Sequence, residues 1–70
     1  MNAYDNMLNL MKNYPKNHYK FLELQQKVNT HISGLKLTAN KLKETNVAVI
    51  CNRDANRYQK LLDLVTKEGS

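Results

Sequence analysis

Side chains with chemical reactivity are few in this chain of 70 residues, and their spacing does not form a catalytic or metal site. His18 and His31 stand far apart, and together with the single Cys51 they would leave a closed zinc site one ligand short. Cys51 lies in an apolar run, where a buried and unreactive cysteine is the usual state. Nucleophile, phosphate-loop and metalloprotease motifs are missing from the sequence. We therefore predict no enzymatic activity, no cofactor, no metal and no small-molecule substrate.

The basic residues offer a different kind of chemistry. The chain has 11 Lys and Arg against 6 Asp and Glu, and a formal net charge of +5. Six of these cations, but only two of the acidic residues, fall between residues 36 and 60. Nucleic acid is the commonest polyanionic partner for such a concentration of positive charge. The alternative is that the lysines only keep a small protein in solution.

Cellular location and assembly follow from composition. A lone cysteine and an N-terminal stretch without a basic start or a long apolar run predict a cytoplasmic protein. No stretch approaches the ~18 apolar residues of a membrane span, so no membrane partner is expected. A single core in a chain of this size contributes about 3–5 kcal/mol. We therefore expect a homodimer, because a second subunit would bury more apolar surface.

Apolar periodicity and turn residues predict a mainly α single domain over residues 1–70, with three or four helices and a frayed tail at 67–70. A first helix is predicted over about 3–13, capped by Asn2 and ended by Pro15. Asn17 caps the second helix, which ends at a turn over residues 29–34. The third helix covers about 33–45, or begins later with Thr38 as its cap.

The segment after Asn46 has two interpretations. Residues 47–51 are the one β-branched run and predict a short strand, followed by a turn and a final helix capped by Asp54. Alternatively, residues 46–66 form one long helix with a continuous apolar stripe. Periodicity does not separate the two interpretations.

The order of these elements resembles the winged-helix and helix-turn-helix DNA-binding domains. The residues that carry the resemblance are Leu24-Gln25-Gln26-Lys27-Val28-Asn29, then Leu35, Ala39 and Leu42, then Lys43-Glu44-Thr45-Asn46-Val47-Ala48-Val49-Ile50. The resemblance implies a positioning helix, a recognition helix over about 33–45, and a short β-hairpin wing that begins after a left-handed Asn46. Gly34 and the helical pattern of residues 57–65 depart from the family pattern.

The resemblance also implies which residues contact double-stranded DNA. The recognition helix would enter the major groove, with Asn40 as the base reader and the lysines on phosphates. The predicted DNA-binding residues are Ser33, Lys36, Asn40, Lys41, Lys43, Arg53 and Arg57. On this basis the chain is predicted to be a small DNA-binding regulator of transcription.

A competing prediction is a helical module that inhibits or recruits a larger protein partner. The C-terminal helical segment has an apolar side that is broader than a minimal core needs. The residues predicted to form this oligomer or partner interface are Tyr58, Leu61, Leu62 and Val65.

Overall fold

The protein consists of three α-helices, described by a computed structural model over residues 3–68. The helices are α1 (Ala3–Met11), α2 (Tyr19–Lys41) and α3 (Asn46–Glu68). A turn of four residues, 42–45, joins α2 to α3. Two helices with so short a connection lie antiparallel, and α1 packs against both of them. The mainly α prediction is confirmed, with three helices among the described residues.

The hairpin of α2 and α3 is longer than α1, and the molecule measures 40 × 20 × 16 Å. The proximal half contains α1 together with residues 19–32 of α2 and 54–68 of α3. Its core is made of large side chains, of which Phe21, Met11 and Val28 are the largest that are completely buried. Residues packed around them are Leu8, Ile32, Ala55, Tyr58, Leu62 and Val65.

The distal half consists of residues 33–41, the turn and residues 46–53, where α1 does not reach. Its buried residues are Ala39, Ala48 and Cys51, with Leu35 packed beside them. These small side chains let the two helix backbones approach closely, because little volume separates them. The larger apolar side chains of this half are on the outside: Leu37, Leu42, Val47, Val49 and Ile50.

The predicted turn at residues 29–34 is wrong, because α2 continues through it to Lys41. The buried stripe extends across the segment from Val28 to Ile32 and on to Ala39. A glycine costs about 1 kcal/mol in a helix, and burial of this stripe outweighs that cost at Gly34. Residues 33–41 are therefore the last part of α2 and residues 42–45 are the turn after it, so no separate helix begins at residue 33.

The predicted β-hairpin wing is also not observed. Residues 47–51 lie in the first turns of α3, and residues 3–68 contain no strand. Thr45 caps α3, since its hydroxyl accepts a hydrogen bond from the Ala48 amide at 3.3 Å and donates one to the Leu42 carbonyl at 2.7 Å. Asn46 is not left-handed, as no described non-glycine residue has a positive φ. Of the two interpretations of this segment, the long helix is confirmed.

Smaller differences concern the helix ends. α1 ends at Met11, slightly before the predicted residue 13, and Asn2 lies outside the described residues. The N-cap of α2 is His18 instead of Asn17, and its Nδ1 accepts a hydrogen bond from the Lys20 amide at 3.0 Å. Asp54 lies inside α3 and is not a cap. Helix α3 extends to Glu68 where a frayed tail was predicted, and residues 69–70 are outside the described part.

Candidate nucleic-acid interface

A concave surface lies on the side of the distal half that faces away from α1. It has a volume of about 880 Å³ and a floor that includes Ala39 and Ala48. The small floor residues create the depression, since the side chains around them are longer. Four of the predicted DNA-binding residues line it together: Ser33, Lys36, Asn40 and Lys43. Two residues of α3, Asn46 and Asn52, also line the concave surface, and their side-chain amides add hydrogen-bonding groups to it.

Helix α3 continues this surface with a basic stripe. Val49 lines the concavity, and Arg53, Asn56 and Lys60 follow it at steps of four, three and four residues. Residues at these spacings lie on one side of an α-helix. All four are exposed. We call the combined surface the basic face and define it by Lys36, Asn40, Lys43, Asn52, Arg53 and Lys60.

The cations of the basic face are not neutralised by other residues in the part of the chain that the structure describes. Among residues 3–68, none of Lys36, Lys43, Arg53 or Lys60 makes a salt bridge. Two acidic residues lie nearby: Glu44 lines the concavity, and Asp63 follows Lys60 and accepts a hydrogen bond from Gln59 at 3.0 Å. Positive charge therefore predominates, and the exposed ammonium and guanidinium groups are available to an external anion.

Two other predicted DNA-binding residues are not assigned to the basic face, one because of its direction and one because it is paired within the chain. Lys41 follows Lys36 by five residues, which turns it about 140° around the helix and away from the basic face. The Arg57 guanidinium is 3.7 Å from the Asp5 carboxylate and 4.7 Å from the centre of the Tyr58 ring. Arg57 thus helps to hold α1 against α3, and we assign it a structural position.

The predicted interface of the C-terminal helix lies mainly inside the chain. Tyr58, Leu62 and Val65 belong to the core of the proximal half and are at most 5% exposed, and Leu61 is half-buried against that core. The core of the monomer needs these side chains, since α1 and α2 pack on them. They retain little surface with which to bind a second chain.

A different set of apolar residues remains uncovered. Leu42, Val47 and Ile50 are 43%, 47% and 48% exposed. Ile50 precedes Arg57 by seven residues, about two helical turns, so it lies on the side of α3 that carries α1 in the proximal half. We call these three residues the apolar flank. It continues the side of α3 that carries α1 into the distal half.

The histidines and the cysteine have structural surroundings. The His31 ring stacks on the Tyr4 ring at 3.7 Å between centroids, and both contact Tyr58 edge-on. Cys51 is buried between α2 and α3. Over the described residues, no group of three His, Cys, Asp or Glu side chains is placed to hold a metal ion. No helix in this part of the chain has the length and apolarity needed to cross a membrane.

Sequence reasoning did not find Asn52 or Lys60 as members of the basic face. Lys60 follows Arg53 by seven residues, or about two helical turns. This spacing places the two residues on one side of a helix only if residues 46–66 form one helix. In the alternative with a strand at 47–51, the residues before and after residue 52 belong to different elements and share no helical side. Asn52 gave no such signal, because its contribution depends on how α3 packs beside Asn40 and Lys36.

Comparison with known proteins gives no family for this chain: no family model, no curated protein and no solved structure matches it.

Proposed function

We propose that the chain binds duplex DNA through the basic face. The observation that carries the proposal is a collection of exposed cations on one side of the α2–α3 hairpin, which form no ion pair with any other described residue. Phosphate contacts from Lys and Arg release condensed counterions, and this release supplies most of the affinity in non-specific DNA binding. The amides of Asn40 and Asn52 supply further hydrogen bonds to phosphate or sugar. In this proposal the chain acts as a regulatory protein by occupying the duplex to which it binds.

Salt dependence is the first test, since every phosphate contact contributes to it. Four contacts, from Lys36, Lys43, Arg53 and Lys60, give a slope of log K against log salt of about −3.6. Affinity for a mixed-sequence duplex should then fall by about 10²-fold between 50 and 200 mM salt, as measured by fluorescence anisotropy. Absence of binding at 50 mM salt would contradict the proposal.

A matched pair of variants separates the basic face from general positive charge. The test variant carries Lys36→Gln, Lys43→Gln and Arg53→Gln, which removes three contacts and should reduce the slope by about 2.7. The control variant changes the same number of basic residues, all of them lysines near the other end of the molecule: Lys12→Gln, Lys16→Gln and Lys20→Gln. Both variants have the same net charge. Equal loss of affinity in the two would show that total charge, and not the basic face, causes binding.

The apolar flank supports a second candidate function, a protein-interaction module. Leu42, Val47 and Ile50 continue the side of the hairpin that already binds an amphipathic helix, namely α1. The occupant that this surface fits is therefore the apolar side of a partner's amphipathic helix. We expect Ile50→Glu to abolish capture of one stoichiometric partner, while Leu10→Glu on α1, which is equally exposed, leaves capture intact. If both variants retain the same partner, the apolar flank is not its binding site.

A further inference from the structure

We infer that the basic face binds duplex DNA of any sequence, by contacts to phosphates and sugars alone. This inference rests on the proposed function and specifies the ligand class of the same site. It replaces the recognition-helix mechanism, because the element on which that mechanism depends is not present. The width of the hairpin, the position of Asn40 and the length of the basic face support this inference.

Width comes first. Ala39, Ala48 and Cys51 are buried between α2 and α3, so along the basic face the two helices lie directly side by side. Two helices whose axes are about 8–10 Å apart, each about 10–12 Å across with its side chains, form a pair about 18–22 Å wide. The major groove is about 12 Å wide and about 8.5 Å deep, which suits a single helix. When the basic face approaches the duplex, the neighbouring helix meets the phosphates before either helix reaches the base edges.

The position of Asn40 leads to the same conclusion. Its side chain lines the concavity with Lys36 and Lys43 and does not project from an isolated helix. A base-reading amide must make bidentate contact with an adenine edge at the bottom of the groove. Within a depression bordered by lysine side chains, the Asn40 amide instead lies at the level of the phosphates that those lysines contact.

The length of the basic face sets the size of the binding site. Lys43 is at the turn, and Lys60 is fourteen residues beyond the first residue of α3, Asn46. At a rise of about 1.5 Å per residue, the cations extend over roughly 20 Å. Successive phosphates of one strand are spaced about 3.4 Å apart along the duplex axis, so the face covers about 6 base pairs. Duplexes shorter than this should bind more weakly, and longer ones should bind several copies.

The test is a selection from a library of duplexes with a randomised 20-base-pair segment, retained on immobilised wild-type protein at 50 mM salt. We expect the starting library to be retained and no motif to be enriched over successive rounds. Enrichment of a motif that binds at least tenfold more tightly than the starting library would overturn the inference and leave the proposed function intact. Failure to retain the starting library would overturn both.

Two single variants give an independent result on the same site. Asn40→Ala should change affinity for mixed duplex less than about twofold, since one uncharged contact is lost among many. Lys36→Gln should weaken binding to all duplexes equally and reduce the salt slope by about 0.9. Both side chains are exposed on the surface of α2, so neither variant removes a core contact. A loss of affinity with Asn40→Ala that depends on sequence would contradict binding by phosphates alone.

Discussion

The proximal and distal halves of this hairpin are built from opposite kinds of side chain. In the proximal half, large residues such as Phe21 and Met11 are buried and α1 covers the helix pair. In the distal half, the buried residues are alanine and cysteine, and leucine, valine and isoleucine are exposed. A fully buried Leu, Val or Phe side chain contributes about 1.5–3 kcal/mol, so most of the stability comes from the proximal half. In our proposal, the distal half uses its surface for contact with other molecules.

The difference shows how a short chain combines a fold with a binding surface. Small residues between α2 and α3 keep the distal helices in line without a third layer. The basic face and the apolar flank therefore both remain exposed in the distal half. A larger distal core would require a covering helix, which would hide one of them.

Removing a large core residue from the proximal half should have the largest effect. Phe21 is 2% exposed, and Phe21→Ala should lower the free energy of unfolding by about 3–5 kcal/mol through lost burial and a cavity. Such a loss equals the whole stability expected of a chain this small. Urea denaturation followed by circular dichroism measures it. Leu22→Ala, at a 53% exposed position beside it, is the control and should change stability by less than about 0.5 kcal/mol.

An intermediate effect is expected at the turn of the distal half. Thr45→Ala removes the hydroxyl that caps α3 through the Ala48 amide, and should cost about 0.5–2 kcal/mol. Hydrogen exchange should accelerate at the amides of the first turn of α3 more than at those of the proximal half. Thr30→Ala is the matched control, because the Thr30 hydroxyl bonds to the Gln26 carbonyl within α2 and caps no helix. Equal acceleration in both halves would show that the distal half does not open independently.

The smallest effect has the opposite sign. Gly34 lies within α2 where the two halves meet, its φ is not positive, and a Cβ atom there would meet no atom within 4 Å. Gly34→Ala should raise the free energy of unfolding by about 0.5–1 kcal/mol, because glycine is more flexible in the unfolded chain. Thermal unfolding measures the change. A lower melting temperature would mean that α2 is bent or interrupted at this position.

The helical class was predictable from the sequence because apolar residues recur at three- and four-residue intervals in each helix. The boundaries of the helices were less predictable. The β-branched run at 47–51 indicated a strand, yet β propensity depends on context, and here Ala48 and Cys51 pack against α2 instead. Gly34 indicated a turn. The residue types near it do not show that Ile32 and Ala39 are buried, and this burial keeps the segment helical.

The candidate site shows a similar limit. Lys36, Asn40 and Lys43 line one concavity, but helical spacing explains this only for Lys36 and Asn40, because Lys43 lies in the turn after α2. The position of Arg57 was not predictable, since its partner Asp5 lies at the other end of the chain. Pairs of residues this far apart in sequence depend on how the helices pack, and the local sequence pattern does not predict them.

The central claim is that duplex DNA binds the basic face of this protein. The most direct measurement is a set of ¹H–¹⁵N correlation spectra of the labelled protein during titration with a 12-base-pair duplex of mixed sequence. We predict that the largest shift changes occur at Lys36, Asn40, Asn52 and Arg53, with little change in α1. Changes concentrated in α1 or on the apolar flank, or no change at low salt, would contradict the account.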